Sequence, residues 1–88
     1  MENFKTTFDN LLIDTLGISQ EDIKSETHFT NDLGADSLDL VELTIEFEKA
    51  FNIVIPDNDV EQLQTIGDAE RYLNNKLNYV SNIKLKKL

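Results

Sequence analysis

Residues 32–51 read DLGADSLDLVELTIEFEKAF, and the spacing of the apolar side chains in this stretch decides the architecture. With side chains set ~100° apart, Leu40, Leu43, Thr44, Phe47 and Phe51 fall in one arc. That arc predicts a helix over Ser37–Phe51 with a single core face. Asp36 stands where an N-cap belongs, with Asp39 three residues on as its capping-box partner. Leu38, Val41 and Ile45 fall largely outside the arc. Their three-and-four spacing makes a second apolar stripe, around which sit Asp39, Glu42, Glu46, Glu48 and Lys49. A small surface helix needs only one apolar face. The second stripe either packs on another segment of the same chain or meets another molecule.

Upstream, Phe4, Phe8, Leu11, Leu12, Thr15 and Leu16 recur at helical spacing, and Gly17 follows them as a helix stop. A polar loop from Ile18 to Ala35 comes next. Loops of this length in compact domains are often functional. Ile23 and Phe29 are its expected anchors in the core, and His28, the single histidine, reads as a loop or packing residue. Downstream, Asn52–Ile55 reads as an extended connector that buries Val54 or its neighbours. After Pro56 a short helix is expected from Asp57 to about Leu63, contributing Val60 and Leu63. The last helix begins near Thr65, with Thr65 and Asp68 at capping-box spacing. Ile66, Ala69, Tyr72, Leu73 and Leu77 form its inner face, and Gly67 costs its first turns about 1 kcal/mol relative to Ala. Residues 81–88 form a basic tail that either extends this helix or is disordered. The pattern is therefore all-α: three longer helices, one short helix and a long first loop.

With 88 residues the chain is one domain, taken as residues 1–80 with the tail appended. Residues 1–80 hold all 17 acids but five of the eight basic residues, a formal charge of −12. Such a surface repels nucleic acid and anionic lipid and attracts proteins with basic patches. There is no cysteine, so disulfides, zinc fingers and a thiol nucleophile are excluded. No apolar run approaches the ~18 residues of a membrane span. The opening MENFKTTFDN lacks the features of a signal peptide, so a cytoplasmic monomer without membrane insertion is expected. No metal site is expected either. An EF-hand loop starting at Asn31 or Asp32 would put Leu33 or Gly34 at its third, liganding position. A serine hydrolase needs a base beside its nucleophile and a Gly-x-Ser-x-Gly elbow, whereas Ser37 is flanked by Asp36 and Leu38.

The run Asp32-Leu33-Gly34-Ala35-Asp36-Ser37-Leu38-Asp39-Leu40-Val41-Glu42-Leu43 resembles the phosphopantetheine attachment motif of acyl carrier proteins, whose signature is Asp-Ser-Leu at the start of the second helix. The resemblance spans about residues 3–78 and includes Leu16-Gly17, Ile55-Pro56-Asp57 and the Ile66–Leu73 region. It implies a four-helix bundle of acyl carrier type and a non-catalytic carrier. It implies that Ser37, flanked by Asp36 and Leu38, receives 4'-phosphopantetheine covalently from coenzyme A. The arm then holds growing acyl chains as thioesters for fatty acid synthesis. A carrier for a dedicated pathway is the alternative: polyketide, aryl polyene or lipid A-related chemistry, or aminoacyl (D-alanyl) loading. The implied partners are phosphopantetheinyl transferase, acyl transferases and ketosynthases. They would pack on Leu38, Val41 and Ile45 and meet Asp39, Glu42, Glu46 and Glu48 with basic patches. The implied acyl cavity is lined by Phe29, Leu43, Phe47, Ile55, Val60 and Leu63.

The chemistry at Ser37 agrees with this role. A phosphate attached there would sit at a helix N-terminus, where open N–H groups and the macrodipole favour an anion. Gly34 lets the backbone turn tightly just before it and leaves room for a transferase. The arm would also supply the sulfur that the chain lacks. The sequence departs from the family pattern at Lys49, where an acid is expected. Leu40 replaces a common threonine, and Phe47 and Val60 are bulkier than usual.

Overall fold

The computed structural model describes the backbone of residues 3–86 and the side chains of residues 3–77. Among the described residues four helices follow in order: α1 (Phe4–Leu16), α2 (Ser37–Phe51), α3 (Asp57–Val60) and α4 (Ile66–Lys86). A 3₁₀ turn at Gln20–Asp22 interrupts the first loop. The described residues contain no strand, only an isolated antiparallel bridge between His28 and Thr65.

Each helix end has a local cause. Asn3 caps α1 by accepting the Thr6 N–H at 2.8 Å. Gly17 closes it with φ +68°, donating its N–H to the Ile13 carbonyl at 2.9 Å. This is the left-handed conformation that glycine adopts at least cost. Asn52 ends α2 in the same region at φ 55°. α4 opens with the expected box: Asp68 N–H donates to Thr65 Oγ1 at 3.0 Å, and Thr65 N–H donates to Asp68 Oδ2 at 3.1 Å.

α1 and α2 meet through stacked rings. Phe8 lies on Phe47 at 5.6 Å between centroids and 11° between planes. Phe4 stacks on Phe8 at 5.6 Å and tilts against Phe51 at 5.3 Å and 37°. Phe8, Leu12, Phe29, Leu43, Phe47, Ile66 and Leu73 are fully buried, each contributing about 1.5–3 kcal/mol by leaving water. Asp9, a buried carboxylate on α1, is matched by Lys5 at 3.1 Å and by the Gln20 amide at 3.0 Å. That pairing ties α1 to the 3₁₀ turn.

The connector after α2 is extended, so its side chains alternate. Ile53 and Ile55 are buried, while Val54 is 71% exposed. The connector therefore buries the neighbours of Val54 and not Val54 itself. α3 also departs from expectation, ending at Val60 and not near Leu63. Beyond it, Gln62 and Leu63 donate to Asp59 and Val60 in i→i+3 turns, which still bring Leu63 into the core. Tyr72 holds α3 against α4 through its hydroxyl, which donates to Asp59 Oδ2 at 2.5 Å. Burial, and then this carboxylate, push the Tyr72 hydroxyl far above the ordinary tyrosine range. The backbone of α4 continues into the 81–88 segment as far as Lys86. Residues 87 and 88 lie outside the described residues.

The long loop is fastened to the start of α4. Phe29 N–H donates to the Gln64 carbonyl, Ile66 N–H to Thr27 and Gly67 N–H to Ser25, at 2.9–3.0 Å. At Gly67 a Cβ would lie 2.3 Å from Ser25 Oγ and 2.8 Å from the Ser25 carbonyl oxygen. Only glycine lets α4 come this close to the loop. Among the described residues no helix is long and apolar enough to cross a membrane.

Candidate functional site

Ser37 is the first residue of α2 and is exposed. The loop that delivers it is built by Phe29, which is fully buried, and Ala35, 4% exposed. Ala35 N–H donates to the Phe29 carbonyl at 2.9 Å. Around this span His28 N–H donates to Asp32 Oδ2 at 2.8 Å, and Asp32 and Leu33 return N–H groups to the His28 carbonyl. Gly34 then turns the chain at φ +70°, with no atom within 4 Å of where its Cβ would stand. The glycine is thus required by its backbone angle, and the space beside it is open.

At the helix start, Asp36 Oδ1 accepts the Asp39 N–H at 2.9 Å, and Asp39 Oδ2 accepts the Asp36 N–H at 3.1 Å. Both carboxylates are thereby drawn onto backbone donors. The amides of Ser37 and Leu38, in the first turn, have no intrahelical acceptor. They and the macrodipole give the Ser37 hydroxyl a setting that favours an anion on it. An exposed hydroxyl at an open helix N-terminus, on a chain without sulfur nucleophiles, fits a covalently attached phosphate ester. Among the described residues no cluster of three or more His, Cys, Asp or Glu side chains could hold a metal ion.

The second apolar stripe is open to solvent: Leu38 is 77% exposed, Val41 48% and Ile45 43%. No segment of the described chain covers it. The acids around it are engaged unequally. Glu42 is exposed. Glu46 lies 3.7 Å from the Lys49 ammonium. Glu48 accepts the Ile55 N–H at 2.8 Å, so its carboxylate serves the connector and not the rim of the stripe. Spacing placed Glu48 on α2 but could not show that the chain folds back to it.

Of the expected acyl-cavity residues, Phe29, Leu43, Phe47, Ile55 and Leu63 are buried together in the core, and Val60 is half-buried against it. None lines the open recess of about 680 Å³ bounded by Asn52, Ile53, Val54, Pro56, Tyr72, Asn75 and Lys76. The connector and α4 form that recess, which periodicity on single helices could not reveal. A family model described as "Phosphopantetheine attachment site" matches residues 7–73.

Proposed function

The chain belongs to the phosphopantetheine attachment family, and from that premise we propose that Ser37 bears the arm and that the chain carries acyl groups for fatty acid synthesis. Such a domain is the site of covalent 4'-phosphopantetheine attachment, and the chain is a carrier. When bound, the arm supplies a terminal thiol on which acyl groups ride as thioesters. The observation that carries the assignment to Ser37 is its exposed hydroxyl at the first position of α2, inside the matched span and beside Asp36 and Leu38.

In this reading residues 1–80 are the carrier domain and 81–88 a tail outside it, and the protein works as a cytoplasmic monomer. The chain's own residues position the arm. Gly34 and the Asp36–Asp39 box fix the helix start, and the amides of Ser37 and Leu38 would hold the phosphate. Leu38, Val41 and Ile45 meet transferases and ketosynthases, with Asp39, Glu42 and Glu46 steering them by charge. Acyl chains enter between Phe29, Leu43, Phe47, Ile55, Val60 and Leu63. Those side chains are close-packed in the unloaded core, so entry requires them to part.

Intact-mass measurement after incubation with coenzyme A and a broad-specificity phosphopantetheinyl transferase tests the site. One arm adds to the wild type and none to Ser37→Ala. A modified alanine variant refutes the assignment. For the pathway, the protein is isolated from its source and its thioester cargo weighed. A homologous series of saturated acyl groups supports fatty acid synthesis, whereas aminoacyl or polyketide groups overturn it.

A further inference from the structure

The recess between the connector and α4 has no part in the reading of Ser37. Ile53, Val54 and Pro56 line it from the connector, and Tyr72, Asn75 and Lys76 line it from α4. The last three are spaced three and four apart, so they share one helix face. Val54 is the one large hydrophobic side chain exposed outside the α2 stripe among the described residues. The backbone forces that exposure. Burying Ile53 and Ile55 in an extended connector turns the side chain between them outward.

The same recess holds one charge. Lys76 is the single charged residue of the described lining, on a chain whose net charge is −9. It is half-buried. Its ammonium donates to the Tyr72 hydroxyl oxygen at 3.2 Å and stands 5.3 Å from the centre of the Tyr72 ring. An ammonium has three donors, and Lys76 has no carboxylate partner among the described residues. The acids near Tyr72 are engaged elsewhere. Asp59 accepts the Tyr72 hydroxyl, and Glu48 accepts the Ile55 N–H. Neither lines the recess.

We propose that this recess binds a small apolar carboxylate. The carboxylate takes the remaining N–H donors of Lys76 and the amide of Asn75, and the hydrocarbon lies on Val54, Pro56 and the Tyr72 ring. The volume of about 680 Å³ falls within the ~300–1,000 Å³ of small-molecule sites. Charge then selects among ligands of that size. A cation is repelled by Lys76, and a neutral ligand leaves the ammonium unpaired. A polyanion meets the negative charge of the whole chain and gains nothing from an apolar wall. One negative charge on an apolar body suits both the wall and the cation. The site lies beyond the C-terminal end of α2, ~22 Å along that helix from Ser37, so the proposal stands apart from the assignment of Ser37.

The test titrates octanoate, and octanol as its neutral match, into the full-length unloaded chain and follows the backbone amides by NMR. Octanoate gives saturable shifts centred on Val54, Asn75 and Lys76, and it binds roughly threefold or more tighter than octanol. Lys76→Met weakens octanoate roughly 3- to 10-fold and leaves octanol unchanged. Lys76→Arg keeps most of the binding. Hexanoate binds more weakly than octanoate, by roughly two- to fourfold per CH₂ lost. Val54→Asp places an acid on the wall at a position that is already exposed. It lowers octanoate binding roughly tenfold, and it decides the matter if Lys76→Met does not fold. Octanol binding as tightly as octanoate overturns the proposal. So does a Lys76→Met or Val54→Asp protein that binds octanoate as well as the wild type. Shifts that never saturate overturn it too, as do shifts centred on the buried Phe29, Leu43 and Leu63, which place the acid in the core.

Discussion

Gly67→Ala sets two effects of opposite sign against each other. In an exposed helix the change stabilises by about 1 kcal/mol, because alanine loses less backbone freedom. Here the new methyl carbon would stand 2.3 Å from Ser25 Oγ and 2.8 Å from the Ser25 carbonyl oxygen. The hydroxyl can rotate away, but the carbonyl belongs to the backbone and accepts the Gly67 N–H at 2.9 Å. Relief therefore means moving the loop, which strains or breaks that hydrogen bond. Overpacking costs about 1–3 kcal/mol and the hydrogen bond about 1 kcal/mol. The net expectation is a loss of about 1–3 kcal/mol, or roughly 5–15 °C in melting temperature for a domain of this size. Urea unfolding followed by helical circular dichroism measures it. Ser25→Ala combined with Gly67→Ala recovers only part of the loss, since the carbonyl contact stays. A Gly67→Ala protein as stable as the wild type, or more so, would refute the claim that the α4–loop contact requires glycine.

Three further outcomes are expected. The backbone amide of Thr65, its hydroxyl and Arg71 together hold the Asp68 carboxyl below the usual range despite some burial. A lowered folded-state pKa adds stability that is fully present above about pH 4 and is lost as pH falls through the folded value. The melting-temperature gap between wild type and Asp68→Asn therefore closes on acidification, and a gap independent of pH contradicts this. Raising ionic strength from low to moderate lifts the melting temperature, because the charge of −12 on residues 1–80 repels itself until screened; a flat or falling trend shows the acids to be already paired or well separated. Phe47→Leu removes the stack on Phe8 and costs about 1 kcal/mol in the unloaded protein. A melting series over acyl lengths then shows longer chains stabilising the variant more than the wild type, and identical length profiles remove Phe47 from the acyl lining.

The elements that obey a period or a cap rule were legible in the sequence. Helix α1 with its Gly17 stop, helix α2 with its Asp36–Asp39 box, and the Thr65–Asp68 start of α4 follow from local pattern, because local backbone chemistry causes them. The open stripe of Leu38, Val41 and Ile45 was legible as a stripe. Its exposure was not, since a period reports which side chains share a face but not what lies opposite. The same limit explains the aromatic stack. Phe4, Phe8, Phe47 and Phe51 each lie on an expected inner face, but their contact depends on how α1 crosses α2. Gly67 looked like a helix defect because its reason is a loop residue 42 positions earlier. Glu48 looked like rim charge because the connector returns to it only in three dimensions. The first-loop turn at Gln20–Asp22 did carry a local signal, Ser19 three residues before Asp22, which the structure closes as a reciprocal cap. The early end of α3 had none, since four residues are too few for a period to show.

The bond between Tyr72 and Asp59 gives the molecule an optical property. The chain has no tryptophan and two tyrosines, so its near-ultraviolet emission comes from phenol groups. A phenol hydrogen-bonded to a carboxylate is a dim emitter, because the excited ring passes its proton to the acceptor. Tyr72 is in that state whenever α3 rests on α4. Lifting α3 away frees the hydroxyl and brightens the ring, so the protein signals the opening of its own short helix without a dye. Replacing Asp59 with asparagine would leave that signal permanently on.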